Sequence, residues 1–186
     1  EASAWHHATA ARLALPASYN DYLLAIGKKE RHELRRKARR FTETHGTPVV
    51  TTEDGPGRGL DAFIAMHRQS PGRKGRFMNS SMVAWFTDLA GQDGWRIDLL
   101  SGEEGTPVAA TFGWADDDAY YLYNSAYDPE AGHASPGVVL VSMLIENAIE
   151  SSLALASGEV KWKHETGDEI KSSPLVAGGR VYFGDE

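Results

Sequence analysis

Ser135-Pro136-Gly137 stands where an aromatic, strand-forming run, Tyr120 to Tyr123, gives way through a Gly- and Pro-containing loop to a long apolar-faced helix. The Ser135 side chain can cap that helix. Pro136 suits the first helical position, where its missing N–H would have had no partner. A helix start directed out of a strand offers free N–H groups and the positive end of the helix dipole, which suits a pyrophosphate. The same residues also serve an ordinary strand–helix connection that binds nothing.

A second charged feature is Lys28 to Arg40, KKERHELRRKARR, with eight basic and two acidic residues, or +6 in a chain of formal charge −7. The remainder therefore carries −13, which argues against a general nucleic-acid binder and for one local basic face. Its plainest reading is a solvated helix in which Glu30 and Glu33 pair with basic residues three or four positions on. The functional readings are a phosphate-bearing ligand, an anionic membrane surface or RNA.

These features need elements to position them. Ala17-Ser18 precedes a helical stretch from Tyr19 to Thr44 that Gly27 breaks in two, and His45-Gly46-Thr47-Pro48 stops it. Pro48 to Thr52 is expected as a strand and Leu60 to Arg68 as a helix. Residues 69–76 are expected as a loop. The helix from Asn79 to Leu89 is expected to bury Met82, Val83, Trp85 and Phe86. Strands at Trp95 to Ser101, Pro107 to Trp114 and Ala119 to Tyr127, with short turns between, make an antiparallel meander. The helix from Pro136 to Ala156 ends at Gly158. A strand at Glu159 to Glu165 follows as a right-handed crossover, and Leu175 to Phe183 as a hairpin. The expected fold is α/β with a mixed sheet: a meander, then a strand–helix–strand crossover, with helices on both faces.

At 186 residues this is one domain with room for a core. No apolar run approaches the roughly 20 residues of a membrane span, and the first residues lack a signal peptide's pattern, so a cytoplasmic location is expected. The first residue is not Met, as in a processed or excised piece. With no cysteine there is no disulfide, thiol nucleophile or Cys-based zinc site. The seven His are scattered without metal-ligand spacing, so no metal is expected.

Several stretches resemble one family: RHELRRKARRF (31–41), LDAFIAMHRQS (60–70), RFMNSSMVAWFTDLA (76–90), GTPVAATFGW (105–114), YYLYNSAYDPE (120–130) and SPGVVLVSMLIENAIE (135–150). In that order they are similar to the GNAT acyltransferases, and within them to the FemAB-like or CelD/BcsL-like branch, over residues 17–150. Members of that branch often carry a further GNAT-like half upstream, so the chain reads as a fragment of such a protein. Residues 153–186 instead resemble one PQQ-like β-propeller repeat. A single repeat cannot close a propeller, so this tail is expected to supply the closing strands in a recombined, chimeric chain. Gly158, 160–164, Gly167-Asp168-Glu169 and Lys171 keep the acyltransferase spacing.

The resemblance implies an acyl-CoA donor such as acetyl-CoA lying between two splayed strands. Backbone groups of Ser125, Ala126 and Tyr127 would polarise its carbonyl, and those of Ser135, Gly137, Val138 and Val139 would hold its pyrophosphate. Ser-Pro-Gly is thinner than the Gly-rich signature of typical relatives, and some FemAB-like proteins take an aminoacyl-tRNA donor instead. An acceptor amine must lose a proton, for which His67, Asp128, His133 and His164 are candidates. Asp128-Pro129 also reads as a turn, and His164 as solvent-facing. Arg73, Lys74 and Arg76 could hold an acidic substrate or a CoA phosphate. Tyr121 and Tyr123, on one face of their strand, serve either substrate or core. The implied activity is acyl transfer to an amine or hydroxyl of a small-molecule or saccharide acceptor. The alternative is a non-catalytic scaffold with a GNAT-like core and a foreign tail.

Overall fold

The computed structural model describes residues 13–116, 119–155, 174–176 and 181–183. The expected crossover strand at 159–165, most of the propeller-like tail and His164 lie outside the described residues.

Gly27 breaks the first helical stretch as its sequence requires. Helix α1 (Tyr19–Ala25) is capped by Ser18, whose hydroxyl accepts the Asp21 N–H, and α2 (Lys28–His45) restarts at once. Strand β1 (Val49–Asp54) leads to α3 (Arg58–Gln69). Residues 73–76, expected as part of a loop, instead belong to a short helix, α4 (Arg73–Phe77), set by Gly72 in a positive-φ conformation open to glycine. Helix α5 (Ser80–Ala90) starts at Asn79, whose side chain accepts the Met82 N–H.

Strands β2 (Trp95–Ser101), β3 (Pro107–Ala115) and β4 (Tyr120–Tyr127) complete a four-stranded antiparallel sheet in the order β1-β2-β3-β4. A 3₁₀ turn (Pro129–Ala134) joins β4 to α6 (Pro136–Leu155). Two short strands, β5 (Pro174–Val176) and β6 (Val181–Phe183), pair antiparallel, as the expected hairpin requires. β5 runs alongside β4, yet no ladder joins the two among the described residues.

Each face of the sheet has its own core. On one face Phe63 of α3 and Phe86 of α5 meet Phe112 of β3, with ring centroids 5.7 and 4.9 Å away, and Leu60, Ile64, Leu89, Ile97 and Leu99 close around them. On the other, Phe41 of α2 and Val139, Leu140 and Leu144 of α6 pack on Leu100, Val108 and Ala109. The result is helix, sheet, helix. Trp85, expected in the core, is 50% exposed. The buried stripe of α5 runs through Met82, Phe86, Leu89 and Ala90, and Trp85 sits one residue off it.

A β-bulge in β4 changes which side chains face α3. Phe112 pairs with Asn124 and Gly113 with Leu122, so Tyr123 is an extra residue in β4. The bulge interrupts the alternation of faces. Tyr123 packs on Phe86 and Trp95, and Asn124 faces α3 as well.

Candidate acyl-donor site

The bulge brings Asn124 onto His67. The His67 ring is 2% exposed, with Nε2 3.0 Å from Asn124 Oδ1 and Nδ1 3.2 Å from the Lys74 carbonyl. Phe63 and Phe77 flank it. Both ring nitrogens thus face oxygens. Asn124 Oδ1 is an acceptor in any case, because it receives the Ser125 N–H at 2.7 Å. A neutral imidazole has one N–H and satisfies one of the two oxygens, whereas the imidazolium satisfies both. Burial outweighs this and lowers the His67 pKa; the Asn124 bond pulls the other way, and the Lys74 charge adds to the lowering. The ring sits at the end of its helix beside residues 73–76, but in the core rather than at the surface.

Beyond Asn124 the strand resumes its alternation. Asp128 donates its N–H to Val108 of β3 at 2.9 Å, so the Tyr127 N–H, one residue back, points away from β3 toward the edge of β4 with which no described strand pairs. The Ser125 N–H points that way too but is taken by Asn124. Ala126 is buried against Ala110. Of the three residues expected at the acyl carbonyl, Tyr127 therefore offers the available amide.

Tyr127 also meets the start of α6. Ser135 adopts a left-handed conformation (φ 54°), and it is its carbonyl, not its hydroxyl, that organises the first turn, receiving the N–H groups of Val138 and Val139 at 3.1 and 3.2 Å. Pro136 has no N–H. Gly137 is left with the first-turn amide that no described residue engages. A Cβ built on Gly137 would lie 4.0 Å from the Tyr127 ring and one on Gly132 3.4 Å, so these two glycines let the ring lie close to the helix start. From the opposite face Lys74 of α4 reaches the same ring, its Nζ 5.6 Å from the centroid. Lys74 is exposed as a residue, and partial burial lowers its pKa.

Other expected residues fall elsewhere. Asp128 caps the 3₁₀ turn, its Oδ1 accepting the Glu130 N–H at 2.9 Å, in keeping with the turn reading. His133 is exposed, with Nδ1 on the Glu130 carbonyl. Arg76 is exposed on α4. Tyr121 is buried against Trp114, and Tyr123 lies in the aromatic core, so both take the packing role. A hollow of about 540 Å³, lined by Asp54, Gly91, Asp93 and Arg96 among others, opens at the Tyr120 end of the sheet, a strand's length from Tyr127. No group of three or more metal-ligating side chains occurs among the described residues, and no helix among them is long and apolar enough to cross a membrane.

Sequence reasoning missed Asn124 and Asp98. Asp98 is fully buried and receives Arg96 at 2.8 Å, Thr52 at 2.7 Å and Thr111 at 3.4 Å. Register places Thr52, Asp98, Thr111 and Ser125 in one row across all four strands.

The antiparallel meander, the helix that follows its last strand and the helices on both faces make a GNAT-like acetyltransferase fold. The family model described as Acetyltransferase (GNAT) domain matches residues 28–157, most of the chain, and the chain belongs to that family. Among solved structures it is similar to the ribosomal-protein-S18-alanine N-acetyltransferase from Escherichia coli, at 19% identity over 55% of this chain and 61% of that one, with a TM-score of 0.38. The match thus spans less than two thirds of that enzyme's length. No curated protein matches the chain.

Proposed function

We propose that the chain is an N-acyltransferase that moves an acyl group from acyl-CoA to an amine or hydroxyl of a small-molecule or saccharide acceptor, within the FemAB-like branch. One observation carries this reading: the outward Tyr127 amide and the Gly137 amide that no described residue engages belong to two residues that meet, the Tyr127 ring lying against Gly137, at an edge of β4 with which no described strand pairs. The first suits a thioester carbonyl, on which negative charge develops during attack. The second, with the helix dipole, suits a pyrophosphate oxygen. The acceptor nitrogen attacks the carbonyl carbon, the C–S bond breaks, and the acceptor's proton passes to a base. Asp128, next to Tyr127, keeps Oδ2 for that purpose, directly or through water. His67 is committed to Asn124 and Lys74 and acts as a positioning residue.

A second reading, a GNAT-like scaffold without chemistry, has its own support. The Ser125 amide is spent on Asn124, Pro136 supplies none, and the Val138 and Val139 amides turn to Ser135. A thiol-release assay with acetyl-CoA against a panel of amines and sugars separates the two. Release that depends on the acceptor supports the enzyme; none with any acceptor supports the scaffold.

A further inference from the structure

Among the described residues, Lys74 is a lysine held over an aromatic ring. Lys28, Lys29 and Lys74 are all exposed, but Lys74, on α4, also sets its amino group over the face of Tyr127. Its backbone is held as well, because the Lys74 carbonyl faces the buried His67 ring. The Tyr127 ring in turn lies against Gly132 and Gly137. One ring thus touches both the Lys74 amine and the helix start at Gly137, the residues of the donor site.

We propose that Lys74 is a self-acylation site, its Nζ taking the acyl group of a thioester bound at Tyr127 and Gly137. The proposal rests on the acyl-donor reading of that site. Neutral Nζ attacks the thioester carbonyl carbon, a C–N bond forms and the C–S bond breaks. The CoA sulfur leaves as thiolate, and the proton shed by nitrogen passes to it or to solvent. Burial lowers the Lys74 pKa and so enlarges the neutral, nucleophilic fraction. The product is a stable amide, so it is a mark on the protein and not a step in turnover. It removes the cation held over Tyr127 and places an acyl amide where an acceptor would enter.

The test is site-resolved mass spectrometry of the full chain incubated with acetyl-CoA, alongside calorimetry with CoA. Lys74 is expected to gain an acetyl group at least about tenfold faster than Lys28 and Lys29, because a bound donor raises its local concentration at that amine. Excess CoA should erase that advantage and leave the other two unchanged, and Lys74→Arg should still bind CoA. If CoA binds but Lys74 reacts no faster than Lys28, the inference is wrong and the donor site stands. A fast Lys74 that ignores competing CoA is merely a reactive amine, which also overturns it. If CoA does not bind and Lys74 is not favoured, both readings fall.

Discussion

His67 Nε2 and Asn124 Oδ1 meet at 3.0 Å across the α3–β4 interface, and they do so because Tyr123 is an extra residue in β4. Without the bulge, Asn124 would point to the α6 face, and His67 would be a buried polar ring with one partner fewer. Removing the amide should therefore cost stability even though the core is otherwise apolar. Asn124→Ala is expected to lose about 1–3 kcal/mol, the range for orphaning a buried polar group, read from urea denaturation.

The same ring sets a pH dependence. His67 has a lowered pKa in the fold, chiefly through burial, while the unfolded chain takes up its proton near the ordinary value of about 6.5. Below that value the unfolded state binds more protons, so stability falls as pH drops from 7.5 to 5 and is fully present above about 6.5. In His67→Gln this part of the slope should disappear. Thermal denaturation of both proteins across the range checks it.

Gly137 separates fold from function. Its Cβ position has no atom closer than 4.0 Å, the Tyr127 ring, so a methyl group fits the protein. It would nevertheless screen the amide that the donor needs. Gly137→Ala should melt within a few degrees of the parent yet bind CoA about tenfold more weakly, equal to about 1.4 kcal/mol. Calorimetry beside a melting curve separates the two effects.

Asp98 anchors the polar row on the opposite face. Its carboxylate is buried and receives the Arg96 guanidinium through both Nε and an Nη at 3.2 and 2.8 Å, and Arg96 also covers Tyr120. Burial, with Asp98's charge next, pushes the Tyr120 phenol far above its usual range. Asp98→Ala leaves Arg96 and two hydroxyls without their acceptor. The expected loss is about 3 kcal/mol, the low end for breaking a buried pair, because Arg96 is partly exposed and can reach water. Denaturant titration provides the measurement.

Local signals carried much of the fold. The Gly27 break, the Asn79 cap, the three meander strands and the start of α6 at Pro136 depend on neighbours in sequence, and their positions were legible to within a residue or two. α4 was not, because RKGRF has neither an apolar stripe nor a capping side chain. The site was legible in part. Ser-Pro-Gly marks the helix start, but which amides remain free depends on the left-handed turn at Ser135, which no residue type announces. Asn124 was invisible because its orientation depends on a bulge, and the only hint was an Asn inside a strand, where Asn is depleted. The burial of His67 was not legible, because burial at a helix end is decided by the neighbouring strand. Asp98 sits in an otherwise apolar strand, and only cross-strand register reveals its partners Thr52 and Thr111.

Amide hydrogen exchange over residues 124–139, with and without acetyl-CoA, tests the donor site most directly. The Tyr127 and Gly137 amides should slow on adding the thioester, while the Ser125 amide, already bonded to Asn124, should change little. Exchange that stays the same at Tyr127 and Gly137, or protection confined to the hollow around Asp54 and Arg96, would contradict it.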